Sequence, residues 1–230
     1  MSSDAEYIGV PLPWKDYPDE FCRIGGVPKS MAPERWPMCG QCGQPLDFYF
    51  ALDLQDPKPI AKKYRYAFFF FCDVTNGTCS PYYPWGANRI VLLRDLDATS
   101  PTKHLGPHKY PRYAVGFCEK REWEQRKKEE RQAFTDALLN PKFDADGMVH
   151  VPMPRLGDTP ETFHLLNEPA WIQNDETPTC PKCEGPVRFI GQIESTYDRK
   201  GKGFPFGVAY AFLCAKECCE DGHYLMYQVD

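Results

Sequence analysis

Two cysteine pairs with matching flanks constrain the fold more than any other feature. Pro37-Met-Cys39-Gly-Gln-Cys42-Gly-Gln-Pro45-Leu46-Asp-Phe48 and Pro178-Thr-Cys180-Pro-Lys-Cys183-Glu-Gly-Pro186-Val187-Arg-Phe189 align without a gap, each position offset by 141 residues. Pro28 with Pro169 and Leu52 with Ile193 keep the same offset. Each pair runs into an apolar, strand-like segment: LDFYFALDL in the first copy, VRFIGQIES in the second. An aromatic strand then ends in cysteine, YRYAFFFFC at Cys72 and GVAYAFLC at Cys214. More cysteines follow (Cys79; Cys218 and Cys219), and then a last apolar strand, RIVLLRDL or HYLMYQVD. Self-similarity on this scale reads as an internal duplication, so the chain is expected to fold as two like halves.

The pattern also constrains the chemistry. A Cys-x-x-Cys in a tight turn supplies two thiolates, and a second knuckle brought alongside by a hairpin supplies two more. Zinc takes this closed four-sulfur arrangement when its role is structural. The first site is assigned to Cys39, Cys42, Cys72 and Cys79. The second takes Cys180, Cys183, Cys214 and either Cys218 or Cys219, the shorter turn favouring Cys218. The expected cofactor is therefore structural zinc, two ions per chain. A redox pair would sit at a helix N-terminus after a strand, where the dipole lowers the thiol pKa; here glycines and prolines lead into a strand instead. The 11 cysteines are an odd number, which argues against a complete disulfide framework. Cys22 and Cys118 are left over as bystander thiols. His223 lies close enough to the last knuckle to stand in as a ligand. No hydrolase elbow, zincin helix, Walker loop or dinucleotide fingerprint occurs, so no catalytic residues are assigned and the chain is read as a non-enzyme.

Hydrophobic residues make up 42% of the 230-residue chain and aromatic residues 14%, enough for a packed core. The net charge of −5 provides no global field for nucleic acid or anionic lipid. No signal-peptide pattern and no membrane-length apolar run is seen, so a cytoplasmic location is expected. The fold class expected is β-rich (α+β), with two pseudo-symmetric antiparallel halves, each bearing a four-cysteine zinc ribbon, plus one long surface helix. The 23 prolines and 17 glycines fit many turns and few helices. Residues 1–99 form the first half, 100–160 a connector and 161–230 the second half, together one compact unit. Within the connector, a Pro-rich basic stretch precedes the helix, which is expected over 119–139. Glu122/Arg126 and Glu124/Lys128 are favourable i,i+4 pairs there, and Trp123, Phe134 and Leu138 form a narrow apolar stripe.

These residues resemble the YwqG-like family of bacterial proteins. Trp171-Ile172-Gln173 before the cysteines, Phe189-Ile190-Gly191-Gln192 after them and the closing Tyr227-Gln228 carry the likeness in the second copy. The first copy matches in its Gly-Gly-x-Pro and cysteine pair, but has Ala51 where the second has Gln192. A more distant similarity is to the programmed cell death 2 proteins, chaperones of a ribosomal protein. The first resemblance implies a non-catalytic, zinc-stabilised protein-binding module, an immunity protein whose partner is a toxin domain. The second implies a chaperone for a basic client, and an enzyme of unknown reaction is the remaining class. Contacts are expected from the helix and the basic stretch, with anchors among Trp85, Trp123 and Trp171.

Overall fold

A computed structural model describes residues 5–13, 22–28, 31–72, 88–96, 105–106, 113–140, 163–180, 182–194, 207–218 and 223–228. Among these described residues ten strands follow in chain order: β1 (Tyr7–Pro13), β2 (Arg23–Ile24), β3 (Asp47–Asp53), β4 (Tyr66–Phe71), β5 (Asn88–Leu93), β6 (Tyr113–Glu119), β7 (Phe163–Leu165), β8 (Val187–Glu194), β9 (Val208–Cys214) and β10 (His223–Gln228). Among the described residues one α-helix, α1 (Lys120–Leu139), follows β6 directly, and a single 3-10 turn spans Pro33–Arg35.

The strands form one antiparallel sheet in the order β10-β9-β8-β7-β1-β6-β2-β3-β4-β5. The order is pseudo-symmetric about the central β1–β6 pair. The meander β3-β4-β5 lies at one end and β8-β9-β10 at the other, with the short strands β2 and β7 flanking the centre. Arg23 of β2 opposes Ala51, and His164 of β7 opposes Gln192, with both members offset by 141. A bulge interrupts β3 between Phe48 and Phe50 and β8 between Phe189 and Gly191, again at that offset. The connector thus contributes a central strand, β6, as well as the helix.

The sheet bends back so that both halves share one interior. Phe50 and Phe69 from the first half and Ile193, Ala209 and Ala211 from the second belong to a single buried cluster. At its centre the Phe163 ring stacks on Phe50, with centroids 4.8 Å apart. β10 lies against β5, so the two ends of the strand order approach each other. In β4 both faces are buried, which explains its unbroken aromatic run: the inner face meets the shared core and the outer face a second cluster.

Trp36 covers that outer face in the first half, edge-on to Phe70 at 5.2 Å, while its indole N–H donates to the Leu46 carbonyl at 2.8 Å. In the second half Trp171 does the equivalent work, 4.4 Å from Tyr210 and 5.9 Å from Phe212. A strap over 170–176 is held there by side chains. The Gln192 side-chain Oε1 accepts from the Ala170 N–H at 3.0 Å and the Tyr210 hydroxyl from the Ile172 N–H at 3.0 Å. Gln228 accepts from the Gln173 N–H at 3.2 Å and donates to the Asn174 carbonyl at 2.8 Å.

The helix touches the sheet through its first turn. The Lys120 N–H donates to the Glu6 carbonyl at 2.8 Å, and its ammonium pairs with the Glu6 carboxylate at 3.1 Å. Trp123 is buried, which removes it as a surface anchor. The expected apolar stripe is corrected at its end: Leu138 is 55% exposed, and the half-buried positions after Trp123 are Lys127, Glu130, Phe134 and Ala137. The 4-3-4-3 spacing of these positions keeps them on one face, whereas Leu138 lies about 100° further round. Trp85 and nearly all of the basic stretch lie outside the described residues. Among the described residues, no helix is long and apolar enough to cross a membrane.

Candidate metal centre

Each cysteine pair sits in a small hairpin whose backbone is the same in both halves. Isolated bridges join Met38 to Pro45 and Thr179 to Pro186. The Cys39 N–H donates to the Gln44 carbonyl at 2.8 Å and the Gly43 N–H to the Cys39 carbonyl at 2.8 Å. The counterparts are Cys180 to Gly185 at 2.9 Å and Glu184 to Cys180 at 2.8 Å. Each turn needs a residue in the left-handed region, Gly43 at φ 70° and Glu184 at φ 50°. The prolines and glycines of the motif therefore fix a turn that points two sulfurs the same way.

β9 ends at Cys214 directly beside this turn, and the chain reverses through Ala215 to Cys218. The sulfur of Cys218 lies 3.4 Å from that of Cys214 and 3.7 Å from that of Cys180, and Cys183 lies 3.8 Å from Cys214. All four sulfurs fall within 4.8 Å of one another. Thiolates at about 2.3 Å from a tetrahedral zinc are ~3.8 Å apart, so these spacings suit a metal ion. They are too long for disulfide bonds, and none of these cysteines is disulfide-bonded. Cys219 and its alternative ligand role lie outside the described residues.

In the first half Cys39, Cys42 and Cys72 converge in the same way, with Cys42 and Cys72 3.7 Å apart. Cys79, the expected fourth member, lies outside the described residues. The leftover thiols sit elsewhere: Cys22 accepts the Asp53 N–H at 3.4 Å, and Cys118 faces the Ile8 carbonyl at 3.7 Å. His223 belongs to β10, opposite Leu213.

Two thiols of the second cluster, Cys180 and Cys214, are shifted toward the thiolate even without a metal. Burial alone would raise the Cys180 pKa, but the backbone N–H groups of Cys183 and Lys182 bring it down to about 6. Cys214 is lowered as well: burial opposes this, and the N–H and thiol of Cys218 outweigh it. Four thiolates around a dication would carry a net charge of about −2, and the exposed cations Lys182 and Lys216 flank that charge.

Glu217, next to Cys218, was not legible as a structural residue. It is 5% exposed, with φ 47°. Its carboxylate accepts from the Lys62 N–H at 2.9 Å, the Lys63 N–H at 2.6 Å and the Arg188 guanidinium at 2.9 Å. Burial alone would raise its pKa, but these donors together hold it below the ordinary carboxylate value.

Fold and site define a β-rich protein with two pseudo-symmetric antiparallel halves, each presenting a cysteine cluster that could hold a metal ion. No family profile matches the chain. The chain is similar to the uncharacterized protein YpfL of Salmonella typhimurium, with 38% identity over 56 residues. The matched segment is 24% of this chain and 13% of that protein, so the chain covers only a small part of this relative's length.

Proposed function

We propose that this chain is a non-catalytic protein-binding module that arose by internal duplication and is stabilised by two structural zinc ions. The observation that carries the reading is the second cluster, where four cysteine sulfurs converge at tetrahedral spacing. A zinc held by four thiolates has no open position for water or substrate, which is the mark of a structural site. Cys39, Cys42, Cys72 and Cys79 would hold the first ion, and Cys180, Cys183, Cys214 and Cys218 the second.

The resemblance to the YwqG-like family supports an immunity role, in which the scaffold covers a toxin domain. The net charge of −5 suits a basic partner drawn in electrostatically. Elemental analysis of protein purified without chelator should return about two zinc ions per chain. Co-expression should rescue cells from a toxin encoded beside the gene, and salt should slow the association. Metal-free folded protein would refute the zinc assignment, and failure to bind or protect against any neighbouring toxin would refute the immunity role.

A further inference from the structure

We propose that metal in the second cysteine cluster clasps the two halves together through Glu217. The proposal rests on the metal reading above. Glu217 lies inside the turn closed by Cys214 and Cys218, whose sulfurs are 3.4 Å apart. A residue with a Cβ seldom adopts a left-handed backbone unless its surroundings impose it. Here the turn imposes it, since the Glu217 N–H donates to the Cys214 carbonyl at 2.8 Å and ligation of Cys214 and Cys218 would pin both ends.

Pinned in this way, Glu217 points across to the first half. Its carboxylate caps two successive N–H groups, those of Lys62 and Lys63, in the connection between β3 and β4. Its carbonyl accepts the Lys63 ammonium at 2.9 Å, so side chain and backbone hold the same loop. These partners are more than 150 positions away in sequence. The loop follows Ile60 and Ala61, both part of the core shared by the two halves. A carboxylate buried this deeply is tolerated only while its donors stay in place. Loss of the ion would free the turn, withdraw the carboxylate and leave the loop's N–H groups uncapped. The second site would then report its occupancy to the first half. By reciprocity, loss of the Glu217 contacts would weaken metal binding at the second site.

Hydrogen exchange on the full zinc-loaded chain, with metal counting, tests this. In Glu217→Gln, the amides of Lys62 and Lys63 should exchange about tenfold faster while the metal count at saturating zinc stays at the wild-type value. Competition with a chromophoric chelator should show about tenfold weaker binding at one site. Cys218→Ser should lose one ion and accelerate Lys62 and Lys63 at least as much, with the first-half strands β3 and β4 still protected. Unchanged exchange and unchanged affinity in a folded, loaded Glu217→Gln protein would overturn the clasp and leave the metal reading intact. A wild-type chain that binds no zinc would overturn the metal reading, and the clasp with it.

Discussion

Glu184 occupies, in the second knuckle, the left-handed backbone position that Gly43 occupies in the first, at φ 50° against 70°. The two turns share their hydrogen bonds, so the difference is one of side chain alone. A Cβ in this region costs roughly 1 kcal/mol. Glu184→Gly should therefore stabilise the protein by about 1 kcal/mol, raising its melting temperature by a few degrees. Gly43→Glu should lower stability by a similar amount. Nothing lies within 4 Å of a Cβ built on Gly43, so the cost there is backbone strain and not a clash. Thermal melts of the two zinc-loaded variants would check the opposite signs.

On the zinc reading proposed above, removal of both ions should unfold the molecule. Structural zinc contributes on the order of 10 kcal/mol to folding, comparable with the whole stability of a typical domain. Cys180→Ser should disrupt the second half and Cys39→Ser the first, each with loss of one ion. Cys22→Ser should cost only about 1 kcal/mol, because the hydroxyl can still accept the Asp53 N–H. Denaturation curves and zinc counts on the three variants would test the ranking; a Cys180→Ser protein that melts like the parent removes that residue from the ligand set.

Gly191 should tolerate no side chain. A Cβ there would lie 2.6 Å from the His164 carbonyl and 2.6 Å from the Phe163 ring. Its counterpart in the first half is Phe50, whose ring stacks on Phe163. Near-symmetry offers two equivalent inward positions, but the shared core has room for only one large ring there. Gly191→Ala should destabilise by about 1–3 kcal/mol, measured by chemical denaturation with metal content unchanged.

Gln228 should be needed to hold the strap over 170–176. The residue is 1% exposed, and its amide joins the Gln173 N–H to the Asn174 carbonyl. Leu93 holds the equivalent register position in β5, facing Tyr66 as Gln228 faces Val208. Gln228→Leu should nevertheless cost about 2 kcal/mol, because it leaves the strap's backbone groups unmatched. Faster proteolysis within 170–176 would accompany the loss.

The parts legible in the sequence were those with local signals. The aromatic run of β4, the apolar segments of β3, β5, β8, β9 and β10 and the cysteine turns all announce themselves within about ten residues. β2 has two residues and β7 three, too few for any periodicity. Gly9 and Pro11 break the pattern of β1, and a proline-rich stretch conceals the start of β6. The correspondence of Trp36 with Trp171 was hidden because they cover equivalent rings from positions that do not share the 141-residue offset. Glu217 looked like an ordinary charge among cysteines, since its partners in the β3–β4 loop leave no trace in its own neighbourhood.

The place of β1 in the sheet bears on how the molecule is made. Tyr7 pairs with Glu119 on one side and with Leu165 on the other. A ribosome releasing this chain from its N-terminus would present β1 long before either partner strand exists. Its two edges would stay open until β6 and then β7 have been made, and pairing over such sequence distances is slow. The nascent protein would thus spend a long vulnerable period with the middle of its sheet unfilled, and β1 would be secured only after both of the later strands beside it had been made.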